Sequence, residues 1–314
     1  MTLRMGVVGV GHLGRHHARI LATLPGVELA AVVDTNRGRA EEIAAASGTH
    51  ALFDARDLMG RVDAVTVAVP TELHAEIAQP FLAAGVPVLV EKPITRSLAE
   101  ADAIISTARA SGVALAVGHT ERFNPAVVAA RPLVVEPRFI EVHRLGTFPD
   151  RSLDIDVVFD LMIHDLDIVL SLVGSAVESI EAVGVPVLTG RVDIANARLG
   201  FANGCIANMT ASRISRDRVR KIRFFQPAAY LSIDYAAQKV EMWRLVTTGG
   251  ALPSIDGGEV PVASEEPLKR ELEDFVEAIM SGRPPLVTGE DGRRALALAQ
   301  QITDKMTSQP PHVR

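Results

Sequence analysis

The sequence contains little cysteine, few aromatic residues and no strongly basic segment. Cys205 is the only cysteine, so the chain can form neither an intramolecular disulfide nor a thiolate metal site. Aromatic residues make up 4% of the chain, too few to predict stacking on nucleic acid bases. The net charge is −6 and Lys and Arg form no long run. We therefore expect neither nucleic acid nor an anionic membrane surface as a main partner.

Long apolar runs are also absent. No segment has about 18 consecutive apolar residues, the length that a membrane helix needs. The first residues, Met1–Gly6, lead into a strand pattern without the apolar region and cleavage site of a signal peptide. Together with the single cysteine, these features predict a soluble, cytoplasmic protein. Its 314 residues, 48% of them hydrophobic, are enough for two domains with a sizeable core.

Short apolar runs alternate with helical segments up to about residue 120. The predicted strands are Met5–Val10, Leu29–Asp34, Ala64–Pro70, Val86–Glu91 and Ala114–Gly118, and the predicted helices are Leu13–Thr23, Arg37–Ala46, Glu72–Ala84 and Leu98–Ser111. Runs that are apolar throughout indicate strands buried on both faces of a parallel sheet. The alternation predicts an α/β fold in which residues 1–120 form a doubly wound, Rossmann-type domain.

A different pattern follows over residues 121–314, the predicted second domain. It contains a predicted helix over Val157–Val173, then strands over Ile180–Leu188, Val192–Phe201, Cys205–Ser212, Val219–Gln226, Tyr230–Tyr235 and Lys239–Val246, and finally helices over Leu268–Met280 and Glu290–Met306. Alternation along these strands predicts an α/β domain whose mostly antiparallel sheet has one open face. Such a face predicts a homodimer or homotetramer. The final helices either stay in this domain or pack back on the first.

A glycine-rich turn joins the first predicted strand to the first predicted helix. Gly9 meets the need of the turn for a residue without a Cβ atom. Gly11 lets the backbone approach a pyrophosphate, and Gly14 allows close packing of the helix on the strand. The backbone of His12 and Leu13 lies between these glycines and is expected to complete the phosphate site. The pyrophosphate then rests at the positive end of the helix.

Asp34 ends the second predicted strand, 20 residues after Gly14. An acidic residue at this place hydrogen-bonds the ribose hydroxyls of NAD and repels the 2′-phosphate of NADP. Arg37 lies close enough to affect this choice, although a helix start is an ordinary place for a solvated arginine. We expect NAD as the cofactor, with NADP as the less favoured alternative.

Several further residues lie near the ligand-binding edge of the sheet. Pro70 and Thr71 lie at the end of the third predicted strand, and His74 follows them, either in contact with the cofactor or as a cap of its own helix. His16 and His17 are expected at exposed positions of the first helix. These assignments make Pro70, Thr71 and His74 candidate cofactor residues.

The segment Glu91-Lys92-Pro93 ends the next strand on the same edge. Pro93 restricts the preceding residue to extended backbone and so fixes the direction of Lys92. A lysine beside a nicotinamide donates to a substrate hydroxyl and stabilises a developing alkoxide. The alternative is a surface lysine ahead of a turn. We assign Glu91 and Lys92 to the cofactor site, and Lys92 also to the substrate.

Asp160 and His164 lie four residues apart in the predicted helix Val157–Val173 and therefore share one helix face. Histidine accepts a proton near neutral pH, as the oxidation of an alcohol requires. A metal site is the rival interpretation, because Asp165 and Asp167 are close in sequence. These two carboxylates turn away from the face of His164, which leaves only two converging ligands. We expect no catalytic metal.

This set of motifs resembles the Gfo/Idh/MocA family of nicotinamide-dependent oxidoreductases. The resemblance covers nearly the whole chain and depends on the order of the Gly9–Gly14 turn, Asp34, Val69–His74, Glu91–Pro93, the Asp160–His164 helix and the closing pair of helices. It implies a Rossmann domain followed by an oligomer-forming α/β domain. It also implies that Lys92 and His164 act at the reacting hydroxyl, with Asp160 orienting the substrate or the histidine.

Two segments look most like the branch of this family that resembles UDP-N-acetylglucosamine 3-dehydrogenases. They are Glu121–Pro125 and Asp160–Leu170, and this likeness implies that Arg122 and Asn124 contact the substrate. The chain departs from the family where Asp154–Phe159 replaces a glycine-rich stretch. That difference changes the wall of the cleft and weakens any analogy of substrate.

The leading interpretation is an NAD-dependent dehydrogenase that oxidises the 3-position of a nucleotide sugar similar to UDP-N-acetylglucosamine. A dehydrogenase of a free sugar or an inositol-like cyclitol is the first alternative. The family also includes glycoside hydrolases that keep NAD bound and recycle it, and net turnover of free NAD distinguishes the two classes. A non-catalytic NAD-sensing regulator is the third alternative, and it has no need of Lys92, Asp160 and His164.

Overall fold

The computed structural model describes residues 2–148, 155–247 and 253–307. The chain divides into two compact units, Met1–Thr120 with Glu266–Arg294, and Glu121–Glu265 with Ala295–Arg314. Each unit is described by itself. Within the described ranges, no helix combines the length and the apolar character needed to cross a membrane.

Fourteen strands and eight α-helices occur in the part of the chain that the structure describes. The strands are β1 (Leu3–Val8), β2 (Val27–Val33), β3 (His50–Leu52), β4 (Ala64–Val67), β5 (Val88–Glu91), β6 (Leu115–Gly118), β7 (Phe139–Leu145), β8 (Val177–Val185), β9 (Ile194–Phe201), β10 (Ile206–Ser212), β11 (Val219–Gln226), β12 (Ala229–Asp234), β13 (Lys239–Val246) and β14 (Ser254–Val260). The helices are α1 (Gly14–Leu21), α2 (Arg37–Ser47), α3 (His74–Ala83), α4 (Leu98–Ser111), α5 (Pro125–Ala130), α6 (Ile163–Val173), α7 (Pro267–Ser281) and α8 (Gly289–Thr307).

The first unit is built on a parallel sheet with the strand order β3-β2-β1-β4-β5-β6. Every residue of β4, β5 and β6 is buried, as expected for strands covered on both faces. The doubly wound fold predicted from the sequence is therefore confirmed. No sequence pattern predicts β3, which has only three residues, none of them fully buried.

Helix α7 belongs to the first unit although it follows β14 in the chain. Its residues Leu272, Phe275 and Val276 lie in the same hydrophobic core as Met5 and Val7 of β1. At least one of the final helices thus packs with the first part of the chain, one of the two arrangements that the sequence allows.

The second unit contains an eight-stranded sheet with the order β14-β13-β12-β11-β7-β10-β9-β8. Its neighbouring strands are antiparallel except for β7 and β10, which run parallel. The prediction of a mostly antiparallel sheet is confirmed, and the chain turns at Asn203-Gly204 between β9 and β10, with Gly204 at φ 81°. One face of the sheet packs with α6 residues such as Ile163 and Val169 in a common core.

The strand at the middle of this sheet, β7, is missing from the sequence prediction. Its burial alternates along Phe139–Leu145, but one of the buried positions is Arg144 rather than an apolar residue. The edge strand β14 is also missing, because it contains Gly257 and Gly258 and is mostly exposed. The sequence alone predicts strands from apolar alternation, which neither segment shows.

Two other predicted elements have different bounds in the structure. The predicted strand Ile180–Leu188 is β8, which ends at Val185, because the N–H groups of Val187 and Leu188 donate to the carboxylate of Asp193 instead. The predicted helix Val157–Val173 begins with a π-helical segment, Val158–Met162, before α6.

The outward face of the sheet carries a row of aromatic side chains. Strand pairing aligns Phe139, Phe225, Tyr230 and Trp243 across β7, β11, β12 and β13. Ring centroids are 5.5 Å apart between Phe139 and Phe225, and 5.3 Å apart between Phe225 and Tyr230. This row is therefore a continuous apolar strip on the open face.

Candidate active site

The glycine turn after β1 has the geometry that a dinucleotide requires. Gly9 has φ 85°, and a Cβ atom on Gly14 would lie 1.8 Å from the carbonyl oxygen of Gly9. Neither position tolerates a side chain. A Cβ atom on Gly11 would meet no atom within 4 Å, so the backbone there is open to a bulky group such as a pyrophosphate. His12 and Leu13 are exposed beside it.

Asp34 follows β2, and its carboxylate already has four donors. The N–H groups of Val10 and Asn36 donate to it over 3.1 Å and 2.9 Å. Arg39 donates from Nε to Oδ2 over 3.0 Å and from Nη2 to Oδ1 over 2.9 Å. Burial alone would raise the pKa of Asp34, but the bonds from Arg39 and the two backbone groups lower it. The carboxylate is therefore fixed in its ionised form.

The arginine that pairs with Asp34 is not the one noted in the sequence. Arg37 instead places its guanidinium 4.2 Å from the centre of the Phe53 ring. Asn36 caps α2 by accepting a hydrogen bond from Arg39 N, which brings the side chain of Arg39 back over Asp34. The residue that occupies the carboxylate of Asp34 is thus Arg39.

The loop after β4 is held by His74. Nε2 of His74 lies 3.0 Å from Val69 O, and Nδ1 lies 2.9 Å from Pro93 O. Burial lowers the pKa of this histidine. The imidazole therefore lies between two segments of the carboxyl edge, that of Pro70–Thr71 and that of Lys92–Pro93, and in its neutral form it donates to one of the two carbonyls. A direct bond from His74 to the cofactor stays a prediction, and the backbone contacts favour a positioning role.

Lys92 follows β5 directly and precedes Pro93, with a cis peptide bond between them. Its side chain is half-buried. The backbone N–H of Lys92 donates to Oε2 of Glu91 over 3.3 Å. Glu91 is buried, so its side chain supports the chain at Lys92 from inside the unit. Cofactor contact by Glu91 stays a prediction.

His17 corrects an expectation from the sequence. We expect it at an exposed helix position, but its side chain is 0% exposed, with Nε2 3.0 Å from Oε1 of Glu91. The buried positions of α1 include Gly14, Ala18 and Leu21 as well as His17, which is one apolar stripe of the helix. This spacing is the signal that identifies His17 as buried.

In the second unit, Asp160 lies in the π-helical segment and His164 in the first turn of α6. Both side chains are half-buried. A π-helix has a wider turn than an α-helix, and such segments are frequent at functional sites. The argument from a four-residue spacing on one α-helical face therefore does not apply directly, and the joint role of these two residues stays a prediction.

Ion pairs fix the surroundings of His164. Asp165 accepts from Arg144 over 2.6 Å and 2.9 Å, and Asp167 accepts from Arg122 over 2.7 Å and 3.1 Å. All four side chains are buried. Both aspartates are thus engaged by arginine, which fits the expectation that they turn away from the face of His164.

Asn124 is buried at the N-terminus of α5. Its Oδ1 accepts from the N–H of Ala126, and its Nδ2 donates to Glu121 and to the carbonyl of Tyr235. Substrate contact by Arg122 and Asn124 stays a prediction. Their contacts favour a role in holding the protein surface that a substrate meets.

A third buried pair, Asp193 with Arg213, is absent from the sequence analysis. Arg213 Nε donates to Asp193 Oδ1 over 2.8 Å, and Arg213 Nη1 donates to the carbonyl of Ile155 over 2.7 Å. Asp156 in turn accepts from the N–H of Val192 over 3.0 Å. This network holds the start of the segment that carries Asp160. No sequence pattern identifies it, because both residues lie at strand ends.

Comparison with known proteins gives the family of the chain. A model of the NAD-binding Rossmann fold of the Gfo/Idh/MocA oxidoreductase family matches residues 3–119. A model of the C-terminal domain of the same family matches residues 136–226.

Relatives are similar along almost the whole chain. UDP-N-acetylglucosamine 3-dehydrogenase from Acidithiobacillus ferrooxidans is 41% identical over 302 residues, which cover 96% of each chain. The solved structure of UDP-N-acetylglucosamine 3-dehydrogenase GnnA from that organism has a TM-score of 0.91 at 40% identity, covering 97% of this chain and 98% of that one. An inositol 2-dehydrogenase from Rhizobium meliloti is 28% identical over 322 residues, with 95% of each chain covered. The chain therefore belongs to the Gfo/Idh/MocA family of NAD-binding oxidoreductases.

Proposed function

We propose that this protein is an NAD-dependent dehydrogenase that oxidises the 3-hydroxyl of UDP-N-acetylglucosamine or of a close nucleotide sugar. The observation that carries the proposal is the 41% identity to an enzyme of that name over 96% of both chains. The inositol dehydrogenase is 28% identical over a similar share. The nucleotide sugar is thus the favoured substrate class.

The first unit supplies the proposed cofactor site. The open backbone at Gly11 fits a pyrophosphate, and the N-terminus of α1 contributes its positive end. The carboxylate of Asp34 is placed to bind the ribose hydroxyls when the guanidinium of Arg39 moves away from it. The edge of the sheet at Pro70 and Thr71 fits the nicotinamide half.

The proposed reaction divides between a hydride and a proton. NAD supplies the hydride acceptor when it is bound. His164 takes the proton of the substrate hydroxyl, so that the alcohol carbon loses two electrons and one hydrogen and becomes a ketone. Lys92 donates to the same oxygen and stabilises the negative charge that develops on it. Asp160 orients the substrate or His164.

The test is a substrate panel with NAD, followed through the absorbance of the reduced cofactor. UDP-N-acetylglucosamine, other UDP-sugars, free N-acetylglucosamine and myo-inositol are compared, and the position of the keto group is read by NMR. We expect UDP-N-acetylglucosamine to be oxidised fastest, at its 3-position. The His164→Ala variant should lose about two to four orders of magnitude in kcat, while NADH binding persists. Faster turnover of inositol would contradict the substrate assignment.

We also propose a homodimer or homotetramer joined through the outward face of the eight-stranded sheet. The row of Phe139, Phe225, Tyr230 and Trp243 is an apolar strip, and Trp243 is 43% exposed. Exposed strips of this kind mark interfaces. Light scattering at micromolar concentration should give a multiple of the chain mass, and Trp243→Glu should shift it toward the monomer. A monomeric wild-type protein would contradict this proposal.

The cytoplasm is the proposed location. Cys205 is a free and buried thiol, which fits a reducing compartment. A fluorescent fusion that accumulated outside the cytoplasm would contradict this assignment.

A further inference from the structure

Three titratable side chains lie together inside the first unit, behind the segment that carries Lys92. They are His17 of α1, Glu91 at the end of β5 and Glu271 of α7. One nitrogen or oxygen atom from each lies within 4.8 Å of the others, and all three side chains are buried. We call this group the His-Glu-Glu cluster. It rests entirely on residues of one unit.

Glu91 is held at both carboxyl oxygens. A carboxylate only accepts hydrogen bonds, so His17 must donate from Nε2 to Glu91 Oε1, over 3.0 Å. The N–H of Lys92 donates to Glu91 Oε2 over 3.3 Å. On the neighbouring strand, a Cβ atom at Gly118 would lie only 3.0 Å from the carboxyl group of Glu91. The position of Glu91 is thus coupled directly to the backbone of Lys92.

Glu271 is the third member and has a different environment. It is 2% exposed, and its carboxyl group lies near the Thr120 hydroxyl but has no other hydrogen-bond partner among the described residues. Burial and the negative charge of Glu91 raise the pKa of Glu271 well above its usual value, against a smaller opposite effect of the Thr120 hydroxyl. Burial also disfavours the charge of Glu91, but His17 and then Lys92 outweigh it and lower the pKa of Glu91.

We propose that the His-Glu-Glu cluster positions Lys92 for the reaction, with Glu91 as its charged member and Glu271 as a neutral acid. This inference rests on the role of Lys92 in the proposed function. Two ionised carboxylates at this distance in a buried site would repel each other strongly. Ionisation of Glu271 would therefore displace Glu91, and with it the N–H group that fixes the chain at Lys92.

The charged groups around the cluster set the direction of its pH dependence. Asp274, on the same helix as Glu271, adds a negative charge that further disfavours ionisation of Glu271. On the other side, Lys92 stabilises the charge of Glu91, and His74 also lies within the field of Glu91. Glu271 is neutral at low pH and ionises as the pH rises. Glu91 should accordingly cease to position Lys92 as the pH rises and Glu271 ionises.

The kinetic test compares Glu271→Ala with Glu271→Gln. The alanine variant should lower kcat by about tenfold to a hundredfold, the scale of a misplaced catalytic group, with little change in KM for NAD. The glutamine variant stays neutral, so it should recover most of that loss and lose the alkaline decline of the wild-type pH profile. A wild-type kcat and pH profile in Glu271→Ala would overturn the proposal.

A second test does not depend on a substrate. Infrared spectra near neutral pH should show the carbonyl band of a protonated carboxylic acid in the wild type and not in Glu271→Gln. In parallel, mass spectrometry measures the acylation rate of Lys92, with the exposed Lys269 of α7 as the internal control. The rate at Lys92 alone should change in Glu271→Ala. The proposal would be overturned if the band were absent or if the labelling of Lys92 were unchanged. It would also be overturned if the wild type bound one metal ion per chain and His17→Ala lost that ion, since the cluster would then be a metal site. Failure of the substrate panel alone would leave these results standing.

Discussion

The two units bury acidic side chains in different ways. In the second unit, arginine matches each of three buried aspartates, in the pairs Arg144–Asp165, Arg122–Asp167 and Arg213–Asp193. In the first unit, Asp34 is likewise paired with Arg39, but Glu91 and Glu271 are buried together, with His17 as the third member of their cluster. An arginine pair keeps its charge and geometry over the whole working pH range. The pair of glutamates does not, because one of them must hold a proton.

The difference between the units separates the part of the protein whose charges are fixed from the part whose charge depends on pH. Arg213 and Asp193 hold the segment before Asp160 in one place. Glu91 and Glu271 lie behind Lys92, and Glu271 changes its charge with pH. The fixed part of the proposed mechanism is therefore on the side of His164, and the adjustable part is on the side of Lys92.

The largest expected effect comes from breaking a matched pair. Arg213→Ala should lower the free energy of unfolding by about 3–5 kcal/mol, because it removes the counter-ion of the buried Asp193 and leaves that carboxylate with its hydrogen bonds from residues 187–189 alone. Urea denaturation measures the change, with the exposed Arg191→Ala as the control. A loss below about 1 kcal/mol, the scale of a surface pair, would show that the arginine pairs do not fix the second unit.

Glu271→Gln should have a smaller effect on stability, and one that depends on pH. The usual pKa of a glutamate is 4.5, and that of Glu271 is raised in the folded state. The folded wild type therefore holds a proton that the unfolded chain releases, and its stability falls as pH rises from about 4.5 toward the folded pKa. Glutamine has no such loss, so the variant should gain on the wild type by up to about 1.4 kcal/mol per pH unit in that interval.

Denaturation at about pH 5 and about pH 8 measures this difference. Glu273→Gln, at a half-exposed position of the same helix α7, is the matched control and should show no comparable gain. A constant difference between Glu271→Gln and the wild type would mean that Glu271 is ionised in the folded protein.

Arg39→Ala tests a half-exposed arginine–aspartate pair of the first unit, Arg39–Asp34, against the buried pairs of the second. Its guanidinium is 46% exposed and occupies the carboxylate of Asp34. Removing it should free Asp34 for ribose hydroxyls and raise the affinity for NADH by up to about fivefold, the scale of an exposed pair. The affinity for NADPH should not rise, since a cation beside its 2′-phosphate is lost. Fluorescence titration measures both, with Arg37→Ala as the control. Weaker NADH binding would show that Arg39 assists the cofactor.

The smallest expected effect is on the reactivity of Cys205, a free and buried thiol of the second unit. Burial raises the pKa of its thiol to about 11, so it should resist thiol reagents in the folded protein at neutral pH. Labelling should become fast only in denaturant. Rapid labelling of the native protein would show that the core around β10 opens readily.

Regular burial made most of the fold predictable. The fully buried strands β4, β5 and β6 follow from uniformly apolar runs, and the glycine turn and Asp34 follow from their spacing along β1 and β2. The π-helical segment was not predictable, because its composition is that of an ordinary helix. The central strand β7 was not predictable from apolar alternation, because Arg144 occupies one of its buried positions in place of an apolar residue.

The residues missed around the candidate site share one cause. His17 and Glu271 are charged or polar types; His17 is expected at the surface, and no sequence motif contains Glu271. Each nevertheless lies on an apolar helix stripe, His17 beside Ala18 and Glu271 beside Leu272. Arg39 was missed for another reason: its approach to Asp34 depends on the cap at Asn36, which is a matter of local geometry.

The place of α7 in the chain has a consequence for synthesis. The first unit needs Leu272 and Phe275 for its core, yet residues 121–265, which belong to the other unit, are made in between. At about 5–20 residues per second, the ribosome takes roughly seven to thirty seconds to pass over that stretch. The apolar surface of the nascent cofactor domain therefore stays uncovered while residues 121–265 are translated. It is buried only when α7 emerges, and the same helix brings Glu271 to its buried position.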